Sequence, residues 1–240
     1  MKVHRGTRGR PEQSRSAILH AALEEFGAHG LDGARIDTIA RNAAVNKALV
    51  YYYFEDKQAL YAAVLEEFMA LRSAGMAEVL ASELPPGEKL LTLARRQFDF
   101  MAQHSVYPRL MFEAFSGKRL QVRVLKHMVE RYIRPVSAAM EQLVEEGKRS
   151  GELVPMPGAH IGQTLAANTV FYFASAPMAE IITGQDPLAP AAIKRQCFNV
   201  LQLFASTFFV DREHGFRIAR KVFESSEPSR VCASPSRGQK

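Results

Sequence analysis

Residues 37–54 read DTIARNAAVNKALVYYYF, and the rest of the chain is organised around them. Ile39, Ala40, Ala43, Val45 and Val50 are spaced as the inward side chains of two short helices meeting at a sharp angle, the pattern of a helix-turn-helix. Ala40 is small where the two helices must approach closely. Ala44-Val45-Asn46 supplies the turn, and the Asn46 side chain can accept from the free backbone N–H groups that open the second helix. If Ala44 takes a left-handed conformation, its Cβ costs roughly 1–2 kcal/mol. The outer face of the second helix is then Asn46, Lys47, Ala48, Leu49 and Tyr52, with Tyr51 at its edge. These are donors, a cation and apolar groups that can meet phosphates, base edges and thymine methyls. Two short helices with a tight turn also occur in proteins that never touch DNA, so the flanking sequence has to decide.

Upstream, SRSAILHAALEEFGAHG (14–30) reads as an amphipathic helix. Ser14 or Ser16 can cap it, Ile18, Ala22 and Phe26 lie four apart on one face, and Gly30 can end it. Downstream, Glu55-Asp56 begins a further helix with Lys57 in its first turn and Leu60, Val64, Leu65 and Phe68 as an apolar stripe. With these elements in place, the assembly resembles the N-terminal domain of the TetR family of bacterial transcriptional regulators. The residues that carry the resemblance are Ile18-Leu19…Ala22…Phe26…Gly30, then Ile39-Ala40…Val45-Asn46-Lys47, then Tyr51-Tyr52-Tyr53-Phe54…Asp56-Lys57…Leu60, over about residues 10–65.

The resemblance implies that Asn46, Lys47, Ala48, Leu49, Tyr51 and Tyr52 face an operator and that Lys57 holds a phosphate. Two positions depart from the family pattern. Ala44 stands where the family usually has Gly. Ala34-Arg35 stands where the family often has a Thr-Thr or Thr-Ser pair that caps the second helix and touches phosphate. Arg35 can keep the phosphate contact by charge, and Asp37 can cap in part.

The chain has 240 residues, enough for a small module and a larger domain with its own core. Its net charge of +6 is unevenly placed. Lys2, Arg5, Arg8, Arg10 and Arg15 crowd the start, and Arg35, Arg41, Lys47 and Lys57 surround the helix-turn-helix. A solvated tail and a flexible arm that reaches a minor groove or nearby phosphates are both compatible with that start. No run of ~18 apolar residues marks a membrane span, and the basic start lacks the apolar stretch of a secretory signal. A soluble, cytoplasmic protein is therefore expected. Cys197 sits in an apolar helical pattern and Cys232 in a polar stretch, so neither reads as half of a structural disulfide; Cys197 reads as a buried spectator.

From about Met69 to Phe209 the chain is rich in Leu, Ala, Phe and Met at helical spacing, with no strand alternation and no internal repeat. Leu84-Pro85-Pro86-Gly87 separates the long helix after Lys57 from one carrying Leu90, Leu91, Leu93, Ala94, Phe98 and Met101. Tyr107 to Phe115 forms a short helix. Leu120 to Glu146 forms another that Pro135 should kink or split, ended by Gly147 and Gly151. Two long helices follow over 158–183, interrupted by Pro177, and 190–210. Both are apolar on more than one face, through Ile161, Leu165, Val170, Phe171, Phe173 and Ile181 in the first and Ile193, Phe198, Leu201, Leu203, Phe204, Phe208 and Phe209 in the second. That implies a second buried surface, for which self-association is the simplest source. The resemblance adds a dimer built from a four-helix bundle of the last two long helices. It also implies a ligand cavity among the middle helices, placed near Phe100, His104, Met111, Phe112, Phe115 and Phe171, with His104 or Tyr172 as polar anchor for a small, largely apolar effector.

The reading is an all-α protein: a basic arm over 1–12, the helix-turn-helix DNA-binding domain over 13–66, a helical effector-binding and dimerisation domain over 67–210, and a short helix with a Ser/Pro/Arg-rich remainder over 211–240. The seven histidines show no His-x-x-x-His or His-Glu-x-x-His spacing. Gly117-Lys118 lacks the upstream glycine of a phosphate loop, and no Gly-x-Ser-x-Gly elbow occurs. No catalytic residue, metal site or cofactor is expected. The leading expectation is a homodimeric, ligand-responsive transcriptional regulator on a double-stranded operator, a repressor by the resemblance. An all-helical small-molecule binding protein or enzyme is the alternative.

Overall fold

Ile18, Ala22 and Phe26 are completely enclosed, so the first helix turns the face expected of it inward. The computed structural model describes residues 11–116 and 122–225, the side chains of 115 and 116 excepted. Helix α1 (Pro11–Gly33) starts three residues before Ser14, with proline in its first turn, where a missing N–H costs nothing. Ser14 is consequently buried inside the helix and Ser16 lies on its exposed face, so neither caps it. Gly30, at φ 67°, breaks the helix as expected, and one further turn follows it.

Helices α2 (Ile36–Asn42) and α3 (Lys47–Tyr53) form the helix-turn-helix. Ile39, Ala40, Ala43 and Val50 are buried, while Val45 is half-buried, and α2 packs on α1 and α3. Asp37 does not cap α2. The capping position is Arg35, which makes no side-chain bond there and whose own N–H donates to the buried Glu25 carboxylate at 3.0 Å. The reason is charge: Asp37 is drawn to Lys47, 3.0 Å away.

Helix α4 (Lys57–Leu80) is capped by Asp56, whose side chain accepts from the Ala59 N–H at 2.7 Å. It packs on α1 at one end and on the effector domain at the other. There follow α5 (Pro86–Gln103), α6 (Tyr107–Ser116), α7 (Val122–Met128), α8 (Arg134–Arg149), α9 (Gly158–Ala174), α10 (Ala176–Thr183), α11 (Pro190–Phe208) and α12 (Arg212–Glu224). The apolar face of α5 is fully buried at every position expected. Between α7 and α8 the chain widens into a π-helical turn over Val129–Ile133. Pro135 has no N–H to give and crowds the preceding turn, so the helix loosens there without breaking.

Gly147 does not end α8. It lies inside the helix and its missing side chain admits Leu153, whose Cδ1 would stand 2.5 Å from an added Cβ. The helix stops at Arg149, and Gly151 follows at φ 71°. At Ser175 the chain bends by 65° between α9 and α10, because Pro177 in the first turn of α10 cannot extend the hydrogen bonds of α9. Helix α12 is a structural part of the effector domain. Asp211 caps it, Ala219 and Val222 are buried, and Arg95 on α5 donates to the Phe223 carbonyl at 3.2 Å. Phe216, by contrast, is exposed. Among the described residues there is no strand; one antiparallel bridge joins Leu153 to Phe209.

The two units touch directly. Helix α6 lies against α1, and an added Cβ on Gly27 would fall 2.2 Å from Val106 Cγ1. The Tyr61 hydroxyl on α4 donates to the Leu110 carbonyl of α6 at 2.9 Å, and the Tyr107 hydroxyl of α6 donates to the Leu65 carbonyl of α4.

Candidate nucleic-acid interface and effector domain

The second helix of the module is positioned by its own ends. The Asn46 side chain accepts from the Leu49 N–H at 2.7 Å, and the Tyr53 hydroxyl donates to the Pro11 carbonyl at 3.0 Å, tying the end of α3 to the start of α1. Ala44 occupies the left-handed region at φ 55°, so the turn takes the shape that usually calls for glycine. Val50 points inward. Asn46, Lys47, Ala48, Tyr51 and Tyr52 are exposed, and Leu49 is half-buried. Tyr52 is 80% exposed and, among the described residues, packs edge-on against Tyr53, at 5.4 Å between ring centroids. An aromatic ring in water with no apolar cover is a contact in waiting.

The cations around this face are held in different ways. Lys47 pairs with Asp37, and that hydrogen bond raises its pKa. Arg35 and Arg41 are exposed. Arg15 lies over the Phe54 ring, 5.5 Å from its centre. Lys57 donates to the Asp32 and Ala34 carbonyls, each at 3.1 Å. It thus closes the end of α1, a role the sequence reading did not include, and keeps one of its three donors for another partner. Lys2, Arg5, Arg8 and Arg10 of the basic arm lie outside the described residues.

In the effector domain the expected residues fall into separate groups. Phe100 and His104 meet on α5, with ring centres 4.7 Å apart, and Phe68 lies 4.5 Å from Phe100. Burial lowers the His104 pKa, which keeps the ring neutral. Met111 is buried in α6, whereas Phe112 beside it and Phe171 on α9 are 52% and 55% exposed. The phase of α6 decides this, since Leu110, Met111 and Ala114 take the inner face. Tyr172 belongs to another cluster with Phe98 and Phe173, and its hydroxyl is committed to the Pro187 carbonyl at 2.5 Å. The Phe115 side chain lies outside the described residues.

A polar chain that the sequence reading missed, buried at Gln97 and Thr169 and half-buried at Arg72, crosses the same domain. Arg72 Nε on α4 donates to Gln97 Oε1 on α5 at 2.7 Å, and Gln97 Nε2 donates to Thr169 Oγ1 on α9 at 3.3 Å. The signal was present. Arg72, Gln97 and Thr169 each occupy an apolar-face position of their helix, next to Phe68 and Met69, Ala94 and Met101, and Leu165 and Phe173 respectively. Separately, a cleft of 270 Å³ opens where α1, α6 and α10 meet, lined by Gly27, Val106, Arg109, Phe173, Pro177 and Glu180 among others. None of the expected effector residues lines it. Among the described residues, no group of three or more His, Cys, Asp or Glu side chains is placed to hold a metal ion. No single described helix is long and apolar enough to cross a membrane.

An all-helical chain with a helix-turn-helix, its second helix uncovered on the outside and its first packed within, is a DNA-reading regulator in architecture. Its sequence matches the family described as bacterial regulatory proteins, tetR family, over residues 18–64. The HTH-type transcriptional repressor SCO4008 of Streptomyces coelicolor is 34% identical over 154 residues, which cover 61% of this chain and 72% of that one. The HTH-type transcriptional regulator RutR of Escherichia coli is 30% identical over 171 residues, covering 71% and 78%. Among solved structures, a TetR/AcrR-family transcriptional regulator from Thermobifida fusca superposes with a TM-score of 0.58 at 18% identity, over 89% of this chain and 98% of that one. The chain belongs to the TetR family of bacterial transcriptional regulators.

Proposed function

We propose that this chain binds a palindromic operator as a homodimer, represses the genes beside it, and is released by a small, largely apolar effector. The observation that carries the reading is the outer face of α3, where Tyr52, Tyr51 and Lys47 stand exposed on a helix whose opposite side is fixed by Val50 and the Asn46 cap. Asn46, Lys47, Ala48, Leu49, Tyr51 and Tyr52 read the groove, and Arg35 and Lys57 hold phosphates. The relatives support repression, since one of them is named a repressor.

The homodimer is supported by an apolar surface on α9, α10 and α11 that no described residue covers: Phe171, Met178, Ile181, Ile182 and Leu203, with Ile181 85% exposed. A two-fold pair would bury it and would present two copies of α3 to one face of the duplex. Phe171 then belongs to the interface, and Phe100, His104 and Met111 remain nearest the effector.

The test is a fluorescence-anisotropy titration of the protein against DNA from immediately upstream of its gene, beside a scrambled duplex and the Tyr52→Ala variant, at several salt concentrations. Tight binding to the upstream DNA, lost on scrambling and in the variant, is expected. Equal, weak and steeply salt-dependent binding to both duplexes would refute operator reading.

A further inference from the structure

Arg72 is a cation placed where an all-helical domain normally keeps Leu or Met. It projects from α4 into the meeting of α4, α5 and α9, and its surroundings hold the Gln97 amide, Thr169 and the Tyr107 phenol. Gln97 is 1% exposed and Thr169 is fully enclosed. Thr169 is satisfied by the Leu165 carbonyl, to which its hydroxyl donates at 2.8 Å, so the chain of hydrogen bonds ends there and holds Gln97 in one orientation. Gln97 in turn holds the guanidinium through Nε. The Nη groups make no hydrogen bond to a described residue and are not sealed from solvent. Among the described residues no carboxylate pairs with Arg72, and burial lowers its pKa.

The neighbouring arginines show what this chain does with a cation it only has to accommodate. Arg95 and Arg96, on the same α5 as Gln97, pair with Asp99 and Glu78, each at 2.7 Å. Arg72 is half-buried, and a guanidinium set among packed helices without a counter-ion is favoured when an anion with two oxygens in one plane occupies its fork. The walls beside it are apolar. Phe68 stacks on Tyr107 and lies against Phe100, and Phe98 packs on Phe173.

We propose that Arg72, oriented by Gln97 and Thr169, recognises the carboxylate of a small organic acid whose body is apolar, and that this acid is the effector. The inference rests on the effector-responsive reading above and names the class of molecule. It also gives the signal a path. The anion would bind a side chain of α4, the helix that begins at Lys57 beside the DNA-reading module, and would tie it to α5 and α9 through the same hydrogen bonds.

The experiment uses the full chain. Butyrate, octanoate, benzoate and phenylacetate are compared with their primary amides by calorimetric titration, for the unchanged protein, Arg72→Gln and Arg72→Lys. Arg72→Gln keeps a donor for Gln97 and removes the charge; Arg72→Lys keeps the charge and removes the planar fork. At least one acid should bind the unchanged protein roughly tenfold to a hundredfold more tightly than its amide, the range expected for a charge-assisted contact. That preference should vanish in Arg72→Gln and shrink in Arg72→Lys, while circular dichroism shows both variants folded. If Arg72→Gln does not fold, Arg72→Lys carries the comparison. Equal binding of acid and amide, a preference that survives both substitutions, or no binding by any of the acids would overturn the assignment. Anisotropy on upstream DNA without any acid is recorded in parallel. Loss of DNA binding there sinks the regulator reading by itself, whereas acid binding that leaves DNA affinity unchanged sinks the effector role and not the anion site.

Discussion

Replacing Ala44 by glycine should make this protein more stable, which is an unusual direction for a substitution at a functional module. Ala44 sits at φ 55° in the turn between α2 and α3 and is exposed, so the substitution removes a strained Cβ and no packing. A left-handed residue other than glycine costs roughly 1–2 kcal/mol. Glycine gives back about 0.4–1 kcal/mol through the greater freedom of the unfolded chain. The net gain is about 1 kcal/mol, which for a chain of this length raises the melting temperature by roughly 2–4 °C. Urea unfolding followed by helical circular dichroism measures it, with an unchanged dependence on urea showing that the unfolded state is the same. Ala44→Val supplies the opposite sign, because a branched Cβ is still less tolerated at positive φ. The Asn46 cap lies outside the strained residue, so DNA affinity should be retained in Ala44→Gly. A midpoint for Ala44→Gly equal to or below that of the unchanged protein would refute the strain argument.

Lys57→Met should lose about 1 kcal/mol of stability, because two carbonyls at the end of α1 lose a charged donor; if Lys57 also holds phosphate, the salt dependence of DNA binding becomes shallower by about 1 per subunit. Gly27→Ala forces Val106 away from α1, so the effector concentration needed to release DNA should change while DNA affinity without effector stays within about threefold, as reporter-duplex titrations would record. Cys197 is buried and its pKa is pushed up to about 12, so a thiol-specific chromogenic reagent should leave it unmodified in the native protein at neutral pH and react after unfolding. The lowered pKa of His104 means that the unfolded chain binds its proton more readily than the folded one. Stability should therefore fall as pH drops through the ordinary histidine range, and His104→Phe should remove that slope.

The features legible in the sequence share a property: they depend on residues close together along the chain. The inward spacing of Ile39, Ala40, Ala43 and Val50, the Asn46 cap and the Pro-Pro break before α5 are local, and each fixed its own element. The exchange at Asp37 was not legible. Its preference for Lys47 over the N-terminus of α2 depends on how α2 and α3 are brought together, and the capping position was left to an arginine whose N–H bonds to Glu25. Gly147 was misread for a related reason, since a glycine that ends a helix and one that admits Leu153 look alike until the neighbour is placed. The effector residues were chosen by type, and helix phase then separated Phe112 from Met111. Arg72, Gln97 and Thr169 were legible position by position, as polar residues interrupting three apolar stripes, but their meeting is a property of the packed domain.

Helix α4 is uninterrupted from Lys57 to Leu80. At a rise of 1.5 Å per residue, Arg72 stands about 22 Å along the rod from Lys57. Pivoting such a rod by about 5° at Arg72 carries the Lys57 end sideways by about 2 Å, and a two-fold pair doubles that to about 4 Å. The rise of one base pair is about 3.4 Å. A displacement at the far end no larger than a shift in side-chain packing is thus enough to put the two reading heads out of step with the duplex by one rung.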